Sequence, residues 1–367
     1  MVFDPHNVDL TTADPTEVVC YLDLSSNDYN GQLGARISAI FVIGFVSSCA
    51  TFFPVLAQRA PRLRIPLYVY LFAKYFGAGV IIATAFIHLL DPAYSEIGGQ
   101  SCVGMTGHWA DYSWCPAIVL TSLMLVFLLD FGAERYVEKK YGLCRDDPEP
   151  IMASGVEAQV QVHDGQRPCH DHDHERRSLD RPKSHDKQTK ELESQSDYEN
   201  QTIERSFRQQ IAAFLILEFG VIFHSVIIGL NLGVTGSEFA TLYPVLVFHQ
   251  SFEGLGIGAR MSSIPFKKGS WLPWILCSLY GLTTPISIAI GLGVRTTYNS
   301  GSFTANVISG VLDATSAGIL IYTGLVELIA RDFLFDPHRT QDDKRLAFMI
   351  CCLFFGAGIM ALIGKWA

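Results

Sequence analysis

The sequence predicts an all-α, polytopic membrane fold with eight transmembrane helices, and three observations carry that prediction. Eight apolar stretches are each long enough to cross about 30 Å of hydrocarbon at 1.5 Å per residue. They fall near residues 36–57, 67–90, 116–137, 209–233, 240–260, 271–294, 303–329 and 346–366. Charged residues are 17% of the 367-residue chain, below the soluble norm of about 25%, and the mean hydropathy is +0.25. Basic residues alternate from one short loop to the next, as expected of a chain threaded through a bilayer.

Residues 1–35 contain Asp4, Asp9, Asp14, Glu17, Asp23 and Asp28 but no Lys or Arg. The basic start of a secretory signal is missing, so the span beginning near Arg36 is expected to stay in the membrane and 1–35 to form an external segment. Residues 36–137 hold the first three spans. The loop after the first span carries Arg59, Arg62 and Arg64, whereas the second loop, 91–114, has Asp91, Glu96 and Asp111 and no basic residue. The polar stretch 138–207 has few large apolar side chains, cannot bury a core, and is expected to be a disordered cytosolic loop. Spans four to eight occupy 208–367. Their fifth and seventh loops are basic (Arg260, Lys267, Lys268; Arg331, Arg339, Lys344, Arg345), the fourth has no basic residue, and the sixth has Arg295 alone. Odd-numbered loops are therefore expected in the cytosol and both termini outside.

Within the middle spans, Gly229, Gly233, Gly254, Gly256 and Gly258 allow close helix approach, while Pro244 and Pro285 free backbone carbonyls. For any single glycine, ordinary helix packing is the leading reading. Nine cysteines include no CxxC pair, which argues against thiolate zinc-finger chemistry. Cys49, Cys277, Cys351 and Cys352 lie in apolar runs. Cys20, Cys102 and Cys115 lie in segments expected outside, where a disulfide is permitted, with the pairing left open.

Ionisable groups inside the spans point to chemistry. The fourth span holds Glu218 and His224; the fifth holds His249, Gln250 and Glu253. His249 and Glu253, four residues apart, point the same way from a helix. A charged group in lipid costs roughly 2.5–3.5 kcal/mol on insertion scales, and imidazole with carboxylate is a ligand set for a divalent transition metal. A path for metal through the membrane is the leading reading, because such a path must bind weakly enough to release. His88, near the outer end of span two, is assigned to the path, a core histidine bonded to a carbonyl being the alternative. Thr283-Thr284-Pro285 in span six adds hydroxyls. Glu218, off the face of His224, is expected to line an exit or to pair with a basic group. Lys74 is expected to snorkel to the cytosolic side, and Asp313 and Glu327 to orient span seven through hydrogen bonds. In the polar loop, Cys169-His170-Asp-His172-Asp-His174-Glu175 is a tract that gathers zinc weakly, a solvated linker being the alternative.

Taken with the eight spans, external termini and His-rich third loop, His224-Ser-Val-Ile-Ile-Gly-Leu-Asn-Leu-Gly233 and His249-Gln-Ser-Phe-Glu-Gly254 resemble the ZIP (Zrt/Irt-like) metal transporters. The likeness covers about 35–137 and 208–367 and is greatest for the fungal zinc-regulated plasma-membrane branch. It implies a transport site between spans four and five, with His224, His249 and Glu253 as metal ligands and Ser225 and Gln250 at neighbouring motif positions. It also implies an inverted internal repeat, homodimers and uptake of metal into the cytosol, with Zn2+ as the transported substrate and iron or manganese as alternatives. Ile228 and Thr284 stand where many relatives carry acids, which favours one metal at a time. An intramembrane zinc hydrolase is a rival reading, but HExxH is absent; a metal-sensing receptor is another. The expected partners are zinc ion, the lipid bilayer and a second copy of the chain, with no nucleic acid, and the expected location is the plasma membrane.

Overall fold

The computed structural model describes residues 9, 12–24, 29–60, 66–141, 184–267, 269–335 and 340–366, and no strand occurs among them. A short helix, α1 (Pro15–Asp23), starts at Asp14, whose carboxylate accepts from the Thr16 amide, with Pro15 at the position where a missing N–H costs nothing. Longer elements follow. These are α2 (Leu33–Arg59), α3 (Leu67–Ala83) and α4 (Asp91–Ile97), α5 (Trp114–Tyr141), α6 (Ser184–Val234), α7 (Phe239–Ser263), α8 (Leu272–Val294), α9 (Phe303–Tyr322) and α10 (Asp343–Ile363). A π segment, Thr84–Leu90, joins α3 to α4, and a second, Thr323–Phe335, extends α9.

Six of these elements are long and apolar enough to cross a membrane: Leu33–Arg59, Leu67–Ile97, Trp114–Val137, Phe207–Val234, Leu272–Val294 and Asp343–Trp366. The fifth and seventh expected spans, α7 and α9, have the length but are more polar. Their inward faces carry His249, Gln250 and Glu253, and Ser309, Asp313 and Ser316, all buried. α5 and α6 extend the third and fourth spans into the polar stretch, to Tyr141 and back to Ser184. Residues 142–183, with His170, His172 and His174, lie outside the described residues.

The chain divides into two compact units, Met1–Phe127 with Ala213–Ala367, and Leu128–Ala212. In the smaller unit, Glu204 accepts from Arg208 one turn later at 3.0 Å. In the larger unit, α2 packs on α7 and α8, α3 on α7 and α10, and α4 on α9. One core is built from Ala39, Ile43, Leu232, Phe239, Leu246 and Ile288; another joins Phe76, Val80 and Ala83 to Met360. The opposite surface is apolar too. On α8, Ile275, Leu279, Leu282, Ile286 and Ile290 are exposed in one stripe while Leu276, Tyr280 and Ile288 are buried. A membrane solvent requires such a face.

Two features fix the helices that carry the site. Gly77 of α3 and Gly256 of α7 meet backbone to backbone: a Cβ on Gly77 would lie 2.9 Å from the Gly256 nitrogen, and one on Gly256 would lie 2.8 Å from the Gly77 Cα. Any side chain there would drive the helices apart. Arg36, wholly buried at the start of α2, donates to the carbonyls of Leu232 (3.0 Å), Gly233 (3.2 Å) and Thr235. Its guanidinium also lies 4.4 Å from the Phe239 ring centre. A cation thus satisfies the otherwise orphaned carbonyls ending α6, where the helix dipole is negative.

Candidate functional site

His224 lies on α6, and His249, Gln250 and Glu253 lie on one face of α7. His224 is 3% exposed; the other three are fully buried. The two imidazoles face each other with Nε2 atoms 3.4 Å apart. Glu253 Oε2 is 3.8 Å from His249 Nε2, one helical turn away. The ring of His88, in the first π segment, stands edge-on to His249 with centroids 4.8 Å apart, while its Nε2 is 3.2 Å from the Met360 carbonyl. Three histidines from three helical elements therefore meet, and a π-helical turn carries one of them, as is frequent at functional sites.

Tyr280 of α8 closes the other side. Its hydroxyl donates to Gln250 Oε1 at 2.8 Å, with Glu253 Oε2 at 3.2 Å. It can approach because Gly254 leaves room: a Cβ there would sit 2.7 Å from Thr51 Oγ1 and 3.1 Å from the Tyr280 ring. Sequence reasoning missed Tyr280. The available signal was a tyrosine within an apolar span, since a buried phenol seeks a partner.

Several polar atoms in this group stay unsatisfied. His249 Nδ1, Gln250 Nε2, Glu253 Oε1 and Ser225 Oγ are buried and have no hydrogen-bond partner. Leaving such an atom unpaired costs about 1–3 kcal/mol; Glu253 Oε1, Ser225 Oγ and an imidazole nitrogen have lone pairs that a cation could take up, whereas the Gln250 amide N–H2 can only donate. Two ligands about 2.05 Å from a tetrahedral zinc ion are ~3.3 Å apart, close to the observed imidazole spacing. Among the described residues no three His, Cys, Asp or Glu side chains already converge enough to hold an ion. The group offers a preset nitrogen pair with a carboxylate just beyond it.

A cavity of about 200 Å³ adjoins the histidines, lined by His88, Asp91, Glu96, His224, Asn231 and Asp313. It follows α6 from His224 to Asn231, about two turns or ~10 Å. The other residues marked on sequence grounds lie apart. Glu218 is buried with neither carboxylate oxygen hydrogen-bonded, within electrostatic reach of Cys277 on α8. Thr284 is buried against Gly229 of α6, where a Cβ would meet its carbonyl at 2.9 Å.

The sequence model of the ZIP zinc transporter family matches residues 33–364. The chain is 58% identical to zinc-regulated transporter 1 of Saccharomyces cerevisiae, over 100% of this chain and 97% of that protein. It is 39% identical to zinc-regulated transporter 1 of Schizosaccharomyces pombe, over 95% and 89% of the two chains. Zinc transporter 9 of Oryza sativa is 32% identical over 90% and 89%.

Proposed function

This chain belongs to the ZIP zinc transporter family, and from that premise we propose that it imports zinc across the plasma membrane into the cytosol through the His224–His249–Glu253 group. The family is one of metal transporters rather than enzymes, and zinc is the transported substrate. The observation that carries the site is the pair of buried imidazoles at ligand spacing, ringed by unpartnered polar atoms. His224 and His249 offer Nε2 to the ion, Glu253 supplies the charge, and Gln250 and Ser225 offer amide and hydroxyl oxygens. Tyr280 holds Gln250 and Glu253 in place.

The cavity beside His88 and His224 is the approach, and the acidic residues lining it favour a cation. It belongs to the external side, as the loop charges indicate. Support comes from the disulfide joining Cys20 in α1 to Cys102 in the second loop, since such bonds persist in an oxidising compartment. An inside-negative potential contributes about 2.3 kcal/mol per charge per 100 mV, so a divalent ion needs no coupled ion to enter. The third ligand sits slightly too far for a closed site, which suits an ion that must leave again.

Uptake of radioactive zinc by vesicles carrying the purified protein tests this. Saturable accumulation, lost in His249→Ala, is expected. Zinc binding without accumulation would instead make the protein a receptor, and the import reading would fall.

A further inference from the structure

We propose that Asp313 and Glu96 form a second divalent-cation site, in the cavity on the far side of His224 from His249, from which zinc passes to the His224–His249 pair; this rests on the transport reading above and extends its path outward. Asp313 is 4% exposed, on the inward face of α9 that also carries buried Ser309 and Ser316. These three residues are spaced as one helical stripe. A carboxylate is expensive at such a place unless something pairs with it. Yet Asp313 Oδ1 has no hydrogen-bond partner, nor has the buried oxygen Oε2 of Glu96.

The two acids are brought together by packing. A Cβ on Gly310, one turn before Asp313, would lie 2.6 Å from the Ile97 side chain and 3.1 Å from the Glu96 Cβ. The absent side chain lets α4 settle onto α9, and Ser309 lies against Glu96. Both carboxylates line the cavity, joined by Asp91, and no Lys or Arg lines it. The two imidazoles of the lining, His88 and His224, bring no fixed charge, so a partly hydrated divalent cation is the counter-charge that suits the acids.

Geometry also supplies the next step. Asp313 Oδ1 is 4.0 Å from His224 Nδ1, too long for a hydrogen bond but adjacent for an ion. The other nitrogen of that ring faces His249 at 3.4 Å. His224 therefore stands between the two positions, offering one nitrogen to each. Oxygen ligands outside and imidazoles inside grade the path from weaker to stronger zinc ligands.

The test measures zinc uptake against zinc concentration in vesicles carrying the full chain. Glu96→Gln and Asp313→Asn are each expected to raise the half-saturating zinc about tenfold by removing the local enrichment, with the maximal rate retained. Unchanged half-saturation in both variants overturns the outer site. A fall in maximal rate that excess zinc does not restore would make Asp313 a positioning residue for His224, as carboxylates often are for metal-bound histidines, and also overturns it. A second measurement needs no transport. The thiol of Glu96→Cys is labelled in membranes with an impermeant maleimide and read by peptide mass. Cadmium should slow that labelling about tenfold, and adding Asp313→Asn should remove the protection. Labelling indifferent to cadmium, or protection that survives Asp313→Asn, overturns the proposal. Repeating it in His249→Ala separates the two readings. Protection there is expected. If Glu96→Cys is protected with His249 intact but the unaltered protein accumulates no zinc, the transport reading fails while the outer site stands.

Discussion

His249 lies against both His224 and His88 and stands one turn before Glu253, so it is the side chain on which the proposed inner site would depend most. His249→Ala and Glu253→Ala are expected to abolish zinc uptake while the protein still inserts, because each removes a polar group from an apolar setting. Glu253→Gln keeps shape and loses charge, and its uptake isolates the electrostatic part. Tyr280→Phe removes only the hydroxyl held 2.8 Å from Gln250 and 3.2 Å from Glu253. It should raise the half-saturating zinc about 10–100-fold, as loss of a supporting group commonly does. Uptake kinetics with unchanged half-saturation would show that Tyr280 does not position the site. That His249 and Glu253 share one helix face was legible from spacing alone. Tyr280 was not, because its partners lie on another helix and no local periodicity links them.

Elements depend on buried charges that the sequence marks without pairing. Glu327, in the second π segment, is 2.5 Å from Arg331 and 3.5 Å from Arg260 of α7, while Lys74 of α3 is 2.6 Å from Asp332. Glu327 thus ties its own element to α7 by ion pairs, where the sequence suggested only orienting hydrogen bonds. Lys74 snorkels toward a specific acid. Removing one partner of a buried pair typically costs about 3–5 kcal/mol. Glu327→Gln should therefore lower the detergent melting temperature well beyond an exposed control such as Asp342→Asn, and an equal shift in both would refute the pairing. Arg36→Met leaves the carbonyls of Leu232, Gly233 and Thr235 without their donor. A loss of about 2–3 kcal/mol is expected from hydrogen bonds to a charged group, read in the same melting experiment. The π segments themselves left no trace in the hydrophobic pattern, since one extra residue per turn arises from tertiary packing.

At the scale of the whole molecule, orientation is the quantity to test. The Asn200-Gln-Thr202 sequon is the only one in the chain and belongs to the segment assigned to the cytosol. It should carry no glycan in a eukaryotic host, and a glycan there would invert the arrangement. The Cys20–Cys102 disulfide gives an independent reading: an impermeant thiol reagent applied to intact cells should label Cys20 only after reduction. For the His tract, changing His170, His172 and His174 together to Ala should leave initial uptake intact while altering zinc retention. Loss of uptake at normal surface level would place the tract in the path.

By itself the sequence determined that the chain is a helical membrane protein, roughly where its spans lie, and that spans four and five carry buried imidazole and carboxylate side chains of the kind that ligate a divalent metal. Those properties follow from hydropathy, from the 3.6-residue period and from the cost of burying charge, all of which act locally along the chain. Only the tertiary structure decided which cysteine pairs with Cys20, that His88 meets His249 edge-on, and that Tyr280 reaches across to Glu253. It also placed Asp313 in a cavity wall with Glu96. These depend on how closely helices approach, which is set by glycines such as Gly77, Gly256 and Gly310. A glycine in sequence marks that an approach is possible, but the packed partner determines which surfaces meet.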